Sequence, residues 1–327
     1  MRSAGNLDAS SKWDDAAKLP TLTVFVPVYN EEEACLKILD NIEKVELFFP
    51  NFNVVISDNG STDETVAKIK AFPKRLQSKI KILQNPKNVG FSENLCNVVR
   101  AANSGFIMLL GADDNLRCEG VYSLQKLLIS KPDVDLVIGN WSYTSNTCKH
   151  LVSAPFVSFE SATLDDYFQK TFNIPNSITQ YTCNVKILKS IGSFARFQSP
   201  HLSLFFSAFP GQVIYMGYPP LFEVEYETKT GWRSSNLSVM KTHLTFAKEI
   251  FFLSYASCKK NNLSSKKLYE INKHTFKACK AIIRGSAFGA WGTRKTDGWL
   301  RTGIMFLTMK LHLQCIYVFY RCKQILI

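Results

Sequence analysis

Four short apolar segments, with helical patterns between them, limit the folds open to this chain more than any other feature. They are LTVFVPVY (22–29), VVIS (54–57), IKILQN (80–85) and FIMLLGA (106–112). Three of them are nearly all apolar and lack the in-out alternation of a half-exposed strand, which marks strands covered on both faces of a sheet. The first gap holds EEEACLKILDNIEKV, with Ala34, Ile38, Leu39 and Ile42 at near-helical spacing and acids in its first turn. The second carries a polar Asn-Gly turn and then a helix expected to open at Ser61 or Thr62. SENLCNVVRAANS reads as the third helix. Such alternation with short loops gives right-handed βαβ units, so the predicted class is α/β with a Rossmann-like, mostly parallel sheet. In these sheets ligands bind at the carboxyl ends of the strands. Three loops there, NEEE, DNGSTDE and ADDN, are acidic or polar and converge on one edge.

Past Asn115 the pattern is less regular. CEGVYSLQKLLISKPDVDLVIGNW gives a helix and a strand, LDDYFQK and CNVKILKSIGSF short helices, and HLSLFFSAF followed by QVIYMGYPPLFEVEY a helix and a strand. From Thr228 the reading is helical, which suggests a loose tail at 1–20, two halves of one domain at 21–116 and 117–227, and a C-terminal region at 228–327. Charge supports the last boundary. Residues 228–327 hold 18 Lys and Arg against 3 Asp and Glu, whereas the first 227 hold 21 against 24. A basic segment of this kind attracts a polyanion, either nucleic acid or an anionic membrane surface. It contains no recognisable nucleic-acid-binding module, so no nucleic-acid partner is expected. The nine cysteines form no C-x-x-C pair, which fits free thiols in a reducing cytosol.

Asp113 and Asp114 stand side by side where an apolar strand ends. Two adjacent carboxylates need strong compensation to stay dry. Mg²⁺ or Mn²⁺ carrying a diphosphate would supply it, since these ions favour one or two carboxylates plus phosphate oxygens. Ordinary turn chemistry at a strand end is the other reading.

VFVPVYNEEE, VVISDNGSTDETV and NPKNVGFSENLCNVVRAANSGFIMLLGADDNL together resemble the three signature blocks of inverting family-2 glycosyltransferases of the GT-A fold. NVGFSEN with MLLGADDNL is closer to a bacterial, abequosyltransferase-like O-antigen branch. The resemblance covers about residues 21–225 and is strongest over 21–116. It implies a nucleotide-sugar-binding half at 21–116, an acceptor-binding half at 117–227, and transfer with inversion in surface-polysaccharide biosynthesis. By position, Pro27, Tyr29 and Glu31 would line the base and ribose, and Asp58 would accept the base N3–H. Asn88, Gly90 and Asn97 match further donor-site positions. Asp113 and Asp114 would serve ribose, diphosphate and a Mg²⁺ or Mn²⁺ ion, with Asp114 the preferred metal ligand. A carboxylate at Asp58 favours UDP- or dTDP-sugars, because uracil and thymine offer an N3–H and cytosine does not.

The chain departs from the family pattern in two places. Gly111 stands where many relatives carry a further acid, and Pro200-His201 stands where the catalytic acid is usual. His201 is therefore the expected base, since imidazole titrates near neutrality. Asp166, beside Asp165, is held in reserve, although helix capping is the plainer role for that pair. The resemblance further implies a polyprenyl-diphosphate-linked glycan acceptor. The basic C-terminal region would then attach the protein peripherally to the anionic inner face of the plasma membrane, on the cytoplasmic side. Residues 304–320 are short for a span and carry Lys310 and His312. A non-catalytic nucleotide-sugar-binding relative is the alternative.

Overall fold

The structure is a computed structural model. It describes residues 20–225, except 47–50, 73, 102, 104, 145–150, 153–156, 172–174, 176 and 192–198, together with isolated positions from 249 onward. The first half runs β1 (Leu22–Val28), α1 (Ala34–Glu46), β2 (Phe52–Asp58), α2 (Thr65–Lys70), α3 (Lys74–Gln77), β3 (Ile80–Gln84), α4 (Phe91–Leu95), α5 (Asn97–Ala101) and β4 (Phe106–Leu109). Then follow β5 (Asp114–Leu116), α6 (Cys118–Ser130), β6 (Leu136–Gly139), β7 (Trp141–Thr144), β8 (Leu151–Val152), β9 (Phe159–Ser161) and α7 (Leu164–Lys170). The described elements end with β10 (Tyr181–Asn184), α8 (Val185–Ile191), α9 (His201–Ser207), β11 (Val213–Met216) and β12 (Phe222–Glu225).

Eight strands form the main sheet in the order β3-β2-β1-β4-β10-β6-β11-β9. β3, β2, β1 and β4 are mutually parallel, as are β6 and β11, whereas β10 runs antiparallel to both β4 and β6 and β9 runs antiparallel to β11. Six strands therefore point their carboxyl ends to the same edge. Alternate residues of β1 feed two cores: Phe25 packs with Val98, Ile107 and Phe205 on one face, and Val24 and Val26 pack with Ile38, Leu39 and Leu124 on the other. α1 buries Cys35, Ile38, Leu39, Ile42 and Val45, one stripe of a 3.6-residue period. Each such aliphatic side chain contributes about 1.5–3 kcal/mol when withdrawn from water.

Three local expectations need correction. α2 begins at Thr65, later than Ser61 or Thr62, because those two amides are taken: Ser61 N–H donates to the Asp58 carboxylate and Thr62 N–H to Asn30 Oδ1. The helix expected over 92–104 breaks at Cys96 into α4 and α5. QVIYMGYPPLFEVEY is two strands, with β12 leaving the main sheet to pair with β5 and β7 in a second sheet ordered β5-β12-β7-β8. The two prolines that separate them cannot donate to a ladder.

The tail at 1–19 and nearly all of 228–327 lie outside the described residues. The described positions beyond 248 nevertheless return to the first core. Ile250 and Leu253 are buried with Leu204 and Phe205, and the Glu249 carboxylate accepts from Ser199 N–H at 2.9 Å, just before α9. Among the described residues no helix is long and apolar enough to cross a membrane.

Candidate functional site

At the carboxyl edge, the loops after β1 and β2 are stitched together. Asn30, at φ 52°, donates its N–H to Ser61 Oγ and accepts from Thr62 N–H, each at 2.9 Å, and Glu31 N–H donates to Thr65 Oγ1 at 2.9 Å. Asp63 accepts from both the amide and the hydroxyl of Thr65, and these bonds hold its carboxyl below the usual range. Pro27 is half-buried and Tyr29 is 41% exposed, so an aromatic face stands open beside the loops. Asp58 is fully buried, and both its oxygens accept from Ser61 N–H.

A partly buried asparagine network supports the next loop, after β3. Asn59 Nδ2 donates to Asn88 Oδ1, and Asn59 Oδ1 accepts from Asn85 Nδ2 and Val89 N–H. Asn88 Oδ1 also accepts from Gly90 N–H at 2.8 Å. Asn97, 5% exposed, donates to Ser57 Oγ and Asn85 Oδ1 and accepts from Arg100, so it braces the floor, whereas Asn88 and Gly90 lie at the surface. Gly60, at φ 72°, is packed so closely on Lys87 that a Cβ would come within 2.6 Å of its carbonyl carbon. Gly90 shares the positive φ, at 88°, but faces open space. Sequence reading missed Asn85 and Asn94 here. The signal was available in NPKNVGFSENLCN, which holds four asparagines in thirteen residues.

The two adjacent acids separate. Asp113 is exposed and lines, with Asn30, Glu31, Lys37, Ala112 and Asn115, a cavity of about 390 Å³. Asp114 opens β5, is 7% exposed, and accepts from Thr179 Oγ1 at 2.5 Å. Burial pushes its carboxyl up to about 6, against the lowering effect of the Thr179 bond. Both side chains flank Gly111: a Cβ there would lie 2.9 Å from Asp113 Oδ1 and 3.0 Å from Asp114 Oδ2. The absent side chain thus leaves a space bounded by hard oxygen donors from both acids, which fits Mg²⁺ or Mn²⁺ with its remaining ligands drawn from a diphosphate. Among the described residues no three His, Cys, Asp or Glu converge on a metal site, so the protein's share of such a shell would be these two carboxylates.

The structure does not bring all predicted residues to this point. Asp166 lies in the first turn of α7, on the helix that packs against β9. β9 is four strands from β4, roughly 19 Å at the usual strand spacing. The Asp166 side chain pairs with Lys170 at 2.8 Å, its amide donates to Thr163 Oγ1, and Thr163 takes the N-cap position. His201 opens α9, is 6% exposed, and sets its ring edge-on to Tyr181, 5.5 Å between centroids. Tyr181 begins β10, two residues after the Thr179 that holds Asp114.

Comparison with known proteins bears on the family and the fold. Residues 23–193 match the model of a family described as Glycosyl transferase family 2. Abequosyltransferase RfbV of Salmonella typhimurium is 32% identical over 111 residues, 34% of this chain and 33% of that protein, so the match spans a third of that relative's length. The structure of Staphylococcus aureus TarS 1–349 superposes with a TM-score of 0.63 at 15% identity, covering 93% of this chain and 88% of the other. Mannosyltransferase PcManGT from Pyrobaculum calidifontis, solved with GDP-Man and Mn²⁺, gives 0.52 at 15% identity over 97% and 91%. At such identities these structures establish the fold.

Proposed function

Because the chain belongs to glycosyl transferase family 2 and has its GT-A fold, we propose that the carboxyl edge binds a nucleotide-sugar and passes the sugar to an acceptor hydroxyl with inversion. The observation that carries this reading is the pair of carboxylates flanking Gly111 just past the end of β4. Asp113 and Asp114 would hold Mg²⁺ or Mn²⁺. Once bound, that ion would neutralise the charge of the departing diphosphate. In one displacement the acceptor oxygen forms a bond to sugar C1 while the bond from C1 to the diphosphate oxygen breaks. The acceptor's proton passes to a base. Tyr29 and Pro27 would pack on the nucleobase, Glu31 and Asp113 would face the ribose, and Asn88 and Gly90 would border the donor. The donor we favour is a UDP- or dTDP-sugar, whose N3–H would compete with the Ser61 amide for Asp58. The acceptor we propose is a polyprenyl-diphosphate-linked glycan of surface-polysaccharide biosynthesis, reached at the inner membrane face through the basic 228–327 region.

Purified full-length protein, given Mn²⁺ and a panel of nucleotide-sugars, is expected to release nucleoside diphosphate from one of them. Release should stop on chelation and return with added Mn²⁺. Tight donor binding without any turnover would instead favour a non-catalytic sugar-nucleotide binder.

For the base we favour His201 over Asp166, which is tied to Lys170 beside the far edge strand. His201→Ala is expected to slow transfer about 100-fold, the lower range for loss of a general base, with donor affinity unchanged. A near-normal rate would reduce His201 to a packing partner of Tyr181.

A further inference from the structure

We infer that Thr179 is the positioning residue that presents Asp114 to the metal-diphosphate site, an inference that rests on the metal reading above. Thr179 is fully buried, within the 3-10 helix Ile178–Gln180 that leads into β10. A capping box fixes this turn: Ser177 Oγ accepts from Thr179 N–H at 3.3 Å, and Gln180 Oε1 accepts from Ser177 N–H at 3.2 Å. The Thr179 hydroxyl accepts from Gly111 N–H at 2.9 Å and donates to Asp114 Oδ2 at 2.5 Å. Its polarity is set by the first bond, because an amide can only donate, which leaves the hydroxyl proton for the carboxylate. Asp114 N–H in turn donates to Gly111 O at 3.2 Å and closes the turn. One side chain from the acceptor-binding half therefore fixes both the glycine that makes room and the acid that borders the room.

A carboxylate held through one oxygen keeps lone pairs for a cation, in an orientation it need not search for. Loss of such a supporting hydrogen bond commonly weakens metal binding 10–100-fold. The remaining groups of the turn could not replace it: without the hydroxyl, the buried Gly111 amide loses the acceptor it has here and Asp114 Oδ2 loses its donor. Valine matches threonine in shape and provides neither function, whereas serine provides both.

The test is Mn²⁺ binding to the full-length protein, followed by the EPR signal of free Mn²⁺ with UDP present, alongside thermal unfolding. T179V is expected to raise the Mn²⁺ Kd about tenfold or more, and T179S to stay within about threefold of wild type. In a D114N background T179V should add no further loss, since Thr179 acts through Asp114. If T179V does not fold, T179A, which also lacks the hydroxyl, is read in its place. Wild-type affinity in T179V, or equal losses in T179S and T179V, overturns the positioning role and leaves the metal reading intact. Failure of the wild-type protein to bind Mn²⁺ overturns the metal reading and this inference together.

Discussion

Asp114→Asn is expected to lower transfer about 100-fold or more while making the metal-free protein more stable above pH 6. The two effects share one cause. Asp114 is 7% exposed, and burial lifts its folded-state pKa to about 6 from the ordinary carboxylate value of 3.8. When the folded-state pKa of an acid lies above its unfolded value, the native state binds more protons between the two, so stability falls as pH rises through that window. The penalty is absent below about pH 4 and complete above about pH 6. At roughly 1.4 kcal/mol per pKa unit it amounts to about 3 kcal/mol as an upper figure. Asparagine stays neutral and still offers an oxygen to the Thr179 hydroxyl, so it escapes the penalty and keeps that bond. It also gives up the charge that a divalent ion requires. Thermal melts in EDTA should place the variant above wild type at pH 8 and close to it at pH 4. An unchanged or lower melting temperature at pH 8 would show that the buried charge is compensated by other groups.

Sequence reading preferred Asp114 to Asp113 as the metal ligand, but only the structure shows how differently the two are buried. Asp113 is exposed where it lines the cavity, and Asp114 is drawn into the protein by a hydroxyl 65 residues away. Nothing in the spacing of ADDN announces Thr179, because that contact exists only once β10 has inserted beside β4. β10 itself was illegible for the same reason. YTCN is four residues, and its identity as a strand comes from pairing Thr182 with both Met108 and Val137, not from any periodicity of its own. The short β5 likewise owes its existence to β12, which pairs Val224 with Asp114. By contrast, β1, β2 and β4 could be read directly, since strands covered on both faces show as continuous apolar segments, and the half-buried edge strand β3 followed from the local helices that flank it. The loops that follow β1, β2 and β4 were legible as a candidate site because they combined polarity with a fixed place in that order. Residue type alone left Asp166 with two readings, reserve base and helix cap. Its ion pair with Lys170 and its place beside the outermost strand become visible only in three dimensions.

Asn94→Ala is expected to be among the most destabilising single changes within residues 21–116, about 4 kcal/mol, although Asn94 need not touch substrate. The side chain is 2% exposed and hydrogen-bonded through both its oxygen and its nitrogen. Its Oδ1 accepts from Ser57 Oγ at 2.7 Å and from Asn85 Nδ2 at 3.0 Å, and its Nδ2 donates to Ser57 O at 2.9 Å. Alanine removes these bonds and leaves their partners in a space too enclosed for easy hydration. A buried polar group stripped of its partner costs about 1–3 kcal/mol, and networks of this kind lose more than pairwise bookkeeping suggests. Set against a typical total of 5–15 kcal/mol, the change removes a large share of the fold's stability. Urea titration should show a lower midpoint with an unaltered m-value. In the fraction that remains folded, Asn85 loses one of its anchors, and through Asn59 the loop at Asn88 and Gly90 loses support. Donor affinity should therefore weaken at urea concentrations where the wild type is still saturated. A loss below about 1 kcal/mol would mean that water or a shifted Asn97 amide, already 3.5 Å from Asn94 Oδ1, takes over the vacated bonds.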